Sequence, residues 1–130
     1  MATWQDLAGY LRTNYKLLDD QGTIVKMLFG TGSRRSQVVF VGRATTGDGA
    51  EWALINSLFA EVTRVDLSQV LKEAGEYAVG GVVAIGDRLS FRHAVPLASL
   101  DIDEFEQPFH MVMGVADSLE QRFTNGGDDF

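Results

Sequence analysis

Few residues in this sequence have side chains suited to acid–base or metal chemistry near neutral pH. His93 and His110 are its two histidines, and each lies in an apolar pattern without a second ligand at the spacing that metal sites need. We therefore expect structural roles for both histidines. The chain has no cysteine, which removes thiolate zinc sites, disulfides and a cysteine nucleophile.

Two short motifs resemble ligand-binding loops but lack their defining residues. The acidic run at residues 101–104 could begin a calcium loop, but Val112 stands at the twelfth position, where that loop requires a bidentate glutamate. Residues 30–33 lack the GxxxxGK[ST] spacing of a phosphate loop, and we expect Arg34 and Arg35 at a solvated hairpin tip. No serine lies in G-x-S-x-G. The sequence therefore predicts no catalytic residue, no metal and no cofactor, and a protein that is not an enzyme.

Length and charge limit the classes of partner. With 130 residues, 45% of them hydrophobic, the chain can build one core, which we expect to span residues 1–124 as a single domain with 125–130 as a frayed tail. The formal net charge of −7 opposes binding to nucleic acid and to membranes, so a basic or amphipathic polypeptide is the better match. Because no signal peptide or membrane-spanning run is recognisable, we expect a cytoplasmic protein.

Three helices are predicted from apolar residues that recur every three or four positions. They are expected at residues 4–22, 66–75 and 102–123. Thr3 and Asp66 are suitable N-caps for the first two helices. Pro108 falls inside the third pattern, so we expect a kink there or a separate first turn that ends near Glu106.

Five strands are predicted from short apolar or alternating runs bounded by glycine-rich turns. They are expected at residues 23–29, 36–42, 51–59, 78–85 and 88–95, and the third of them would also suit a helix. Gly86 and Asp87 form a two-residue loop in which glycine can supply the positive φ of a hairpin turn. The predicted fold is therefore α+β, in the order helix, three-strand antiparallel meander, helix, two-strand hairpin, helix.

Several of the predicted strands are apolar on both faces. In one of them, Val38 and Phe40 point to one side while Val39 and Val41 point to the other. An antiparallel sheet usually leaves one face to water, and two long helices cover only one side of five strands. The second face then needs a second subunit, a bound segment or the short helix. Complete coverage by the chain itself remains the alternative.

A family resemblance is carried by residues 91–120. There FRHAVPL leads into LD, then EF, then ADSLE, and the third strand contains INS. With the order of elements and the acidic character, this sequence resembles the bacterial type III secretion chaperone-like superfamily, which includes CesT-like chaperones and the YbjN family. The resemblance extends from the helix at Trp4 to Phe123, and Pro108 departs from the long last helix of that superfamily.

The resemblance implies a non-catalytic homodimeric chaperone that holds an extended apolar client segment. By position, the client-binding residues would be Phe29, Phe40, Trp52 and Leu54. The dimer contact would be formed by Leu67, Val70, Leu71 and Val82. Ordinary core positions are the alternative interpretation of the aromatic residues.

Other functions remain open alongside a secretion chaperone. A YbjN-like regulatory protein would act through protein contacts alone. An accessory factor would escort a peptide substrate to a modifying enzyme. An enzyme with a diffuse active site is the alternative from a different class.

Overall fold

One antiparallel sheet with helices packed on it forms an α+β fold in the computed structural model, which describes residues 2–32, 35–124 and 130. The α-helices in this part of the chain are α1 (Trp4–Asn14), α2 (Leu67–Ala74) and α3 (Glu106–Phe123). The strands are β1 (Leu17–Asp20), β2 (Ile24–Gly32), β3 (Arg35–Thr45), β4 (Glu51–Glu61), β5 (Gly81–Ile85) and β6 (Arg88–Pro96). They lie in the order β1-β2-β3-β4-β6-β5, so the predicted class is confirmed but the sheet has six strands instead of five.

The extra strand arises because α1 is shorter than predicted. Its N-terminus carries the capping box: Thr3 Oγ1 accepts the Asp6 N–H at 3.1 Å, and the Asp6 carboxylate accepts the Thr3 N–H at 2.9 Å. The helix nevertheless ends at Asn14, and β1 pairs with β2 as an edge strand. The prediction of a helix through residues 15–22 was wrong because a short apolar run fits either period.

The turn before α3 accommodates Pro108. A 3₁₀ turn at Ile102–Phe105 precedes the helix, so Pro108 is its third residue. The first four N–H groups of a helix have no intrahelical acceptor, and a proline there costs no hydrogen bond. The expected separate first turn is confirmed. The hairpin loop is also as predicted, since Gly86 has φ 62° between the paired residues Ile85 and Arg88.

The two longer helices pack on the same face of the sheet, which we call the helix face. Its strand residues are fully buried and alternate along the central strands: Val25, Met27, Val39, Val41, Ala53 and Ile55. Leu7 and Leu11 of α1 and Phe109 of α3 complete this core. α2 lies near the β5 edge on the same side, where its Glu73 pairs with Arg122 of α3. None of the helices described in residues 2–32 and 35–124 is long and apolar enough to cross a bilayer.

Candidate functional site

The opposite side of the sheet, which we call the open face, carries a continuous group of apolar side chains. Strand alternation directs to it every second residue of β2, β3 and β4. Its central members are Leu28, Val38, Phe40, Trp52, Leu54 and Leu58. Each remains partly exposed, and Leu28 is 50% exposed. A contiguous exposed apolar surface of this kind is typical of a binding site.

A buried polar group lies in the middle of the open face. Asn56 Oδ1 accepts hydrogen bonds from Ser90 Oγ and from Arg92 Nε, each at 3.0 Å. Asn56 and Ser90 are buried, so Arg92 is held in place by the sheet itself. We did not predict this group, although a polar Asn56 within a largely apolar strand was a signal for it.

Phe130 lies at one end of the open face. Its N–H donates to Glu120 Oε2 at 3.0 Å, and its C=O accepts the Val38 N–H at 3.1 Å. The Arg88 guanidinium carbon is 5.7 Å from the centre of its ring. A cavity of about 220 Å³ at this end is lined by Lys26, Val38, Phe40, Leu58, Arg88 and Phe130. Of the predicted tail, residues 125–129 lie outside the described part of the chain.

The structure brings together three of the four predicted client-binding residues. Phe40, Trp52 and Leu54 share the open face. Phe29 lies on the helix face instead, where its ring centre is 5.3 Å from that of Tyr15 and 5.2 Å from that of Phe109. Phe29 therefore belongs to the contact between the sheet and the helices.

The four predicted dimer residues do not form one surface. Val70 is fully buried in the core of its own chain, and Val82 is half-buried against that core. Leu67 and Leu71, four residues apart on α2, are 41% and 54% exposed. Of the four, these two are the most exposed.

A nearly buried ion-pair group joins β3 to α3. Arg35 Nη2 lies 3.1 Å from Asp117 Oδ1 and 3.8 Å from Glu120 Oε1, and the Glu120 side chain is fully buried. The prediction that Arg35 lies at a solvated hairpin tip was wrong. Its partners, Asp117 and Glu120, are distant in sequence, so the local pattern could not indicate them. Arg34 lies outside the described residues.

A second polar group joins α1 to α3 around Glu106. Its carboxylate accepts hydrogen bonds from the hydroxyls of Tyr10 and Tyr15, and lies 2.9 Å from His110 Nε2. Burial raises the pKa of Glu106, but these hydrogen bonds outweigh it and the pKa is lowered. Hydrogen bonding to Glu106, with some desolvation, raises the pKa of Tyr10 to about 12. This group fastens α1 to α3 and gives His110 a structural contact.

Replacing Glu106 with glutamine should lower the free energy of unfolding by about 1–2 kcal/mol at pH 7, since the tyrosines lose a charged acceptor. Because the pKa of Glu106 is lower in the folded than in the unfolded state, its ionised carboxylate stabilises the fold at pH values above the unfolded-state pKa. That contribution is lost as the pH falls through the folded-state pKa. The difference from the native chain should therefore shrink well below pH 4.5, the ordinary value. Urea unfolding at several pH values measures this. Glu104→Gln, an exposed control, should change little, and an equal loss in both variants would contradict the assignment.

The imidazole of His93 lies on the helix side of β6, and its pKa is lowered by burial. Across residues 2–32 and 35–124, no three histidine, aspartate or glutamate side chains come together as a metal site would require. Comparisons of the chain with protein-family models, with curated proteins and with solved structures give no match. The superfamily resemblance therefore stays a prediction from sequence motifs.

Proposed function

We propose that this protein is a non-catalytic binding protein that holds an extended apolar segment of another polypeptide on its open face. The observation that carries the proposal is the run of partly exposed apolar side chains on the sheet face opposite α1 and α3. The open-face cavity beside Phe130, at about 220 Å³, is smaller than common small-molecule sites of about 300–1,000 Å³, whereas a second cavity that Phe130 also lines, with Arg64 and Phe123, measures about 520 Å³. A broad, shallow face suits a polypeptide better.

The proposal includes the chaperone or adaptor role and the secretion chaperone-like fold that the sequence resemblance implies. The neighbouring positions of β2, β3 and β4 and the pairing of β5 with β6 support that arrangement. Secretion, regulation and escort of a peptide to an enzyme would all use the same surface. They differ in the identity of the partner.

We also propose that two copies associate through α2. Leu67 and Leu71 form an exposed apolar pair on that helix, and apolar side chains at this spacing meet well across two packed helices. This contact is smaller than the one first expected, because Val70 and Val82 serve their own chain. It leaves the open face available for a client.

Two leucines of similar exposure give a reciprocal test of client binding and of dimer formation. Leu28→Glu should reduce client capture at least tenfold by placing a charge on the open face, while the mass in solution stays that of a dimer. Leu71→Glu should yield a monomer. Pull-down with the client identified from the native protein, and light scattering, measure the two effects. Client capture unchanged in Leu28→Glu would contradict the open-face proposal, and a Leu71→Glu dimer would contradict the α2 contact.

A further inference from the structure

The open face collects basic side chains that have no carboxylate partner among the described residues. Lys26, Arg88 and Arg92 all point to this face, according to the register of β2, β4 and β6. The arginines described elsewhere each make an ion pair with a carboxylate: Arg12, Arg35, Arg43, Arg64 and Arg122. Lys16 and Lys72 are the remaining described cations without an ion pair. Cations that lack a partner are thus concentrated on the apolar face of a chain whose net charge is −7.

The carboxylates at the margins of this face already have other partners. Asp19 lies opposite Lys26 in the strand register, but it accepts hydrogen bonds from Gln21 Nε2 and from the Asp20 N–H. Glu61 lies opposite Arg88 and pairs with Arg64 at 2.8 Å. The open face therefore carries three cations without an ion-pair partner among the described residues, although Asp19 at its margin keeps its negative charge.

Arg92 is the best-positioned of the three cations. Its Nε donates to Oδ1 of Asn56, its cross-strand partner on β4, and this bond restrains the guanidinium. Its two terminal nitrogens make no hydrogen bond to an acceptor among the described residues. A guanidinium held by one nitrogen presents the others as a fork that matches a carboxylate.

We propose that the polypeptide segment on the open face is acidic as well as apolar, with carboxylates that meet Lys26, Arg88 and Arg92 between aromatic or aliphatic side chains. This inference rests on the proposed function and specifies its partner. The net charge of the chain led us to expect a basic partner. A binding site, however, attracts ligands according to the local charge of its own surface. Phe130 already illustrates the aromatic half of this chemistry, since its ring lies beneath Arg88.

A second copy of this chain is a poor occupant of the open face. Two-fold pairing of identical faces would bring the same cations towards each other, and like charges in a contact oppose association. An extended segment of about nine residues spans about 30 Å, enough to cross six strands spaced about 4.8 Å apart. A peptide of that length can therefore reach all three cations.

Two labelled peptides of about nine residues test the inference by fluorescence anisotropy with the intact protein. One alternates glutamate with valine and phenylalanine, and the other has lysine in place of each glutamate. We expect the acidic peptide to bind about tenfold more tightly, with a preference that narrows between about 0.05 M and about 0.5 M salt. Lys26→Gln and Arg88→Gln should each weaken the acidic peptide about threefold, and Lys16→Gln should not. Arg92→Gln should weaken binding of the acidic peptide more. The variants at the partly exposed Lys26 and the exposed Arg88 still test the inference if Arg92→Gln unfolds.

Three other results would each overturn the inference. Equal binding of both peptides, lost in Leu28→Glu, would remove the acidic preference and leave the proposed function standing. Binding of neither peptide would remove both. Binding to phosphatidylserine vesicles but not to the acidic peptide would show that the cations serve an anionic surface of another class.

Discussion

Replacing Arg35 with methionine is expected to lower the free energy of unfolding by about 3–5 kcal/mol. The Arg35 side chain is only 15% exposed and lies between the carboxylates of Asp117 and Glu120. Without the guanidinium, two neighbouring carboxylates would remain in a site with little water. A buried charge that loses its partner costs far more than the original pair contributes.

Urea unfolding followed by circular dichroism measures this loss. Arg12→Met is the matched control, because Arg12 also pairs with an aspartate, Asp20, but its side chain is 42% exposed. That control should lose much less stability, because an exposed ion pair contributes little. Adding Asp117→Leu and Glu120→Leu to Arg35→Met should recover much of the stability, since apolar residues remove the charges that the guanidinium had compensated. Equal losses in the two single variants would show that the Arg35 group contributes no more than a surface pair.

The elements that the sequence predicts well are those specified by nearby residues. The capping box at Thr3 and Asp6, the helix start at Asp66 and the turn at Gly86 depend on neighbours within a few positions. The Arg35 group could not be predicted in this way, because Arg35 and Asp117 are 82 residues apart. Only the packing of α3 across β3 brings them together.

The sequence predicted a second apolar face of the sheet but did not identify the residues that form it. Alternation showed two apolar faces, yet it left open which face of each strand meets the helices. In β2, Val25, Met27 and Phe29 form one set and Ile24, Lys26 and Leu28 the other. Contacts of the Phe29 ring with Tyr15 and with Phe109 of α3 assign the first set to the helix face. The lysine in the second set was the available signal for the open side.

The α2 helix shows the same limit. Its apolar arc was predicted, but a pattern does not tell which edge of the arc is buried by the rest of the chain. Val70 takes the buried edge, which leaves Leu67 and Leu71 to solvent.

Replacing Trp52 with glutamate is expected to weaken client binding at least about thirtyfold while leaving a folded dimer. A tryptophan on a binding surface can contribute about 2 kcal/mol or more, and a charge in its place adds a desolvation cost. The fold should tolerate the change because Trp52 is partly exposed on the open face. Its Nε1 makes no hydrogen bond to any described residue, so no such bond is lost.

Intrinsic fluorescence gives a direct measurement, since the chain has two tryptophans. Trp4 is 3% exposed and its Nε1 donates to the Gly22 C=O at 2.6 Å, so its surroundings should not change when a client binds. An emission shift on adding the acidic peptide should therefore persist in Trp4→Phe and disappear in Trp52→Phe. Anisotropy of the labelled peptide should still report binding to Trp52→Phe and none to Trp52→Glu. A Trp52→Glu variant that unfolds by circular dichroism would assign Trp52 to the core. A folded variant that binds normally would place the binding surface elsewhere.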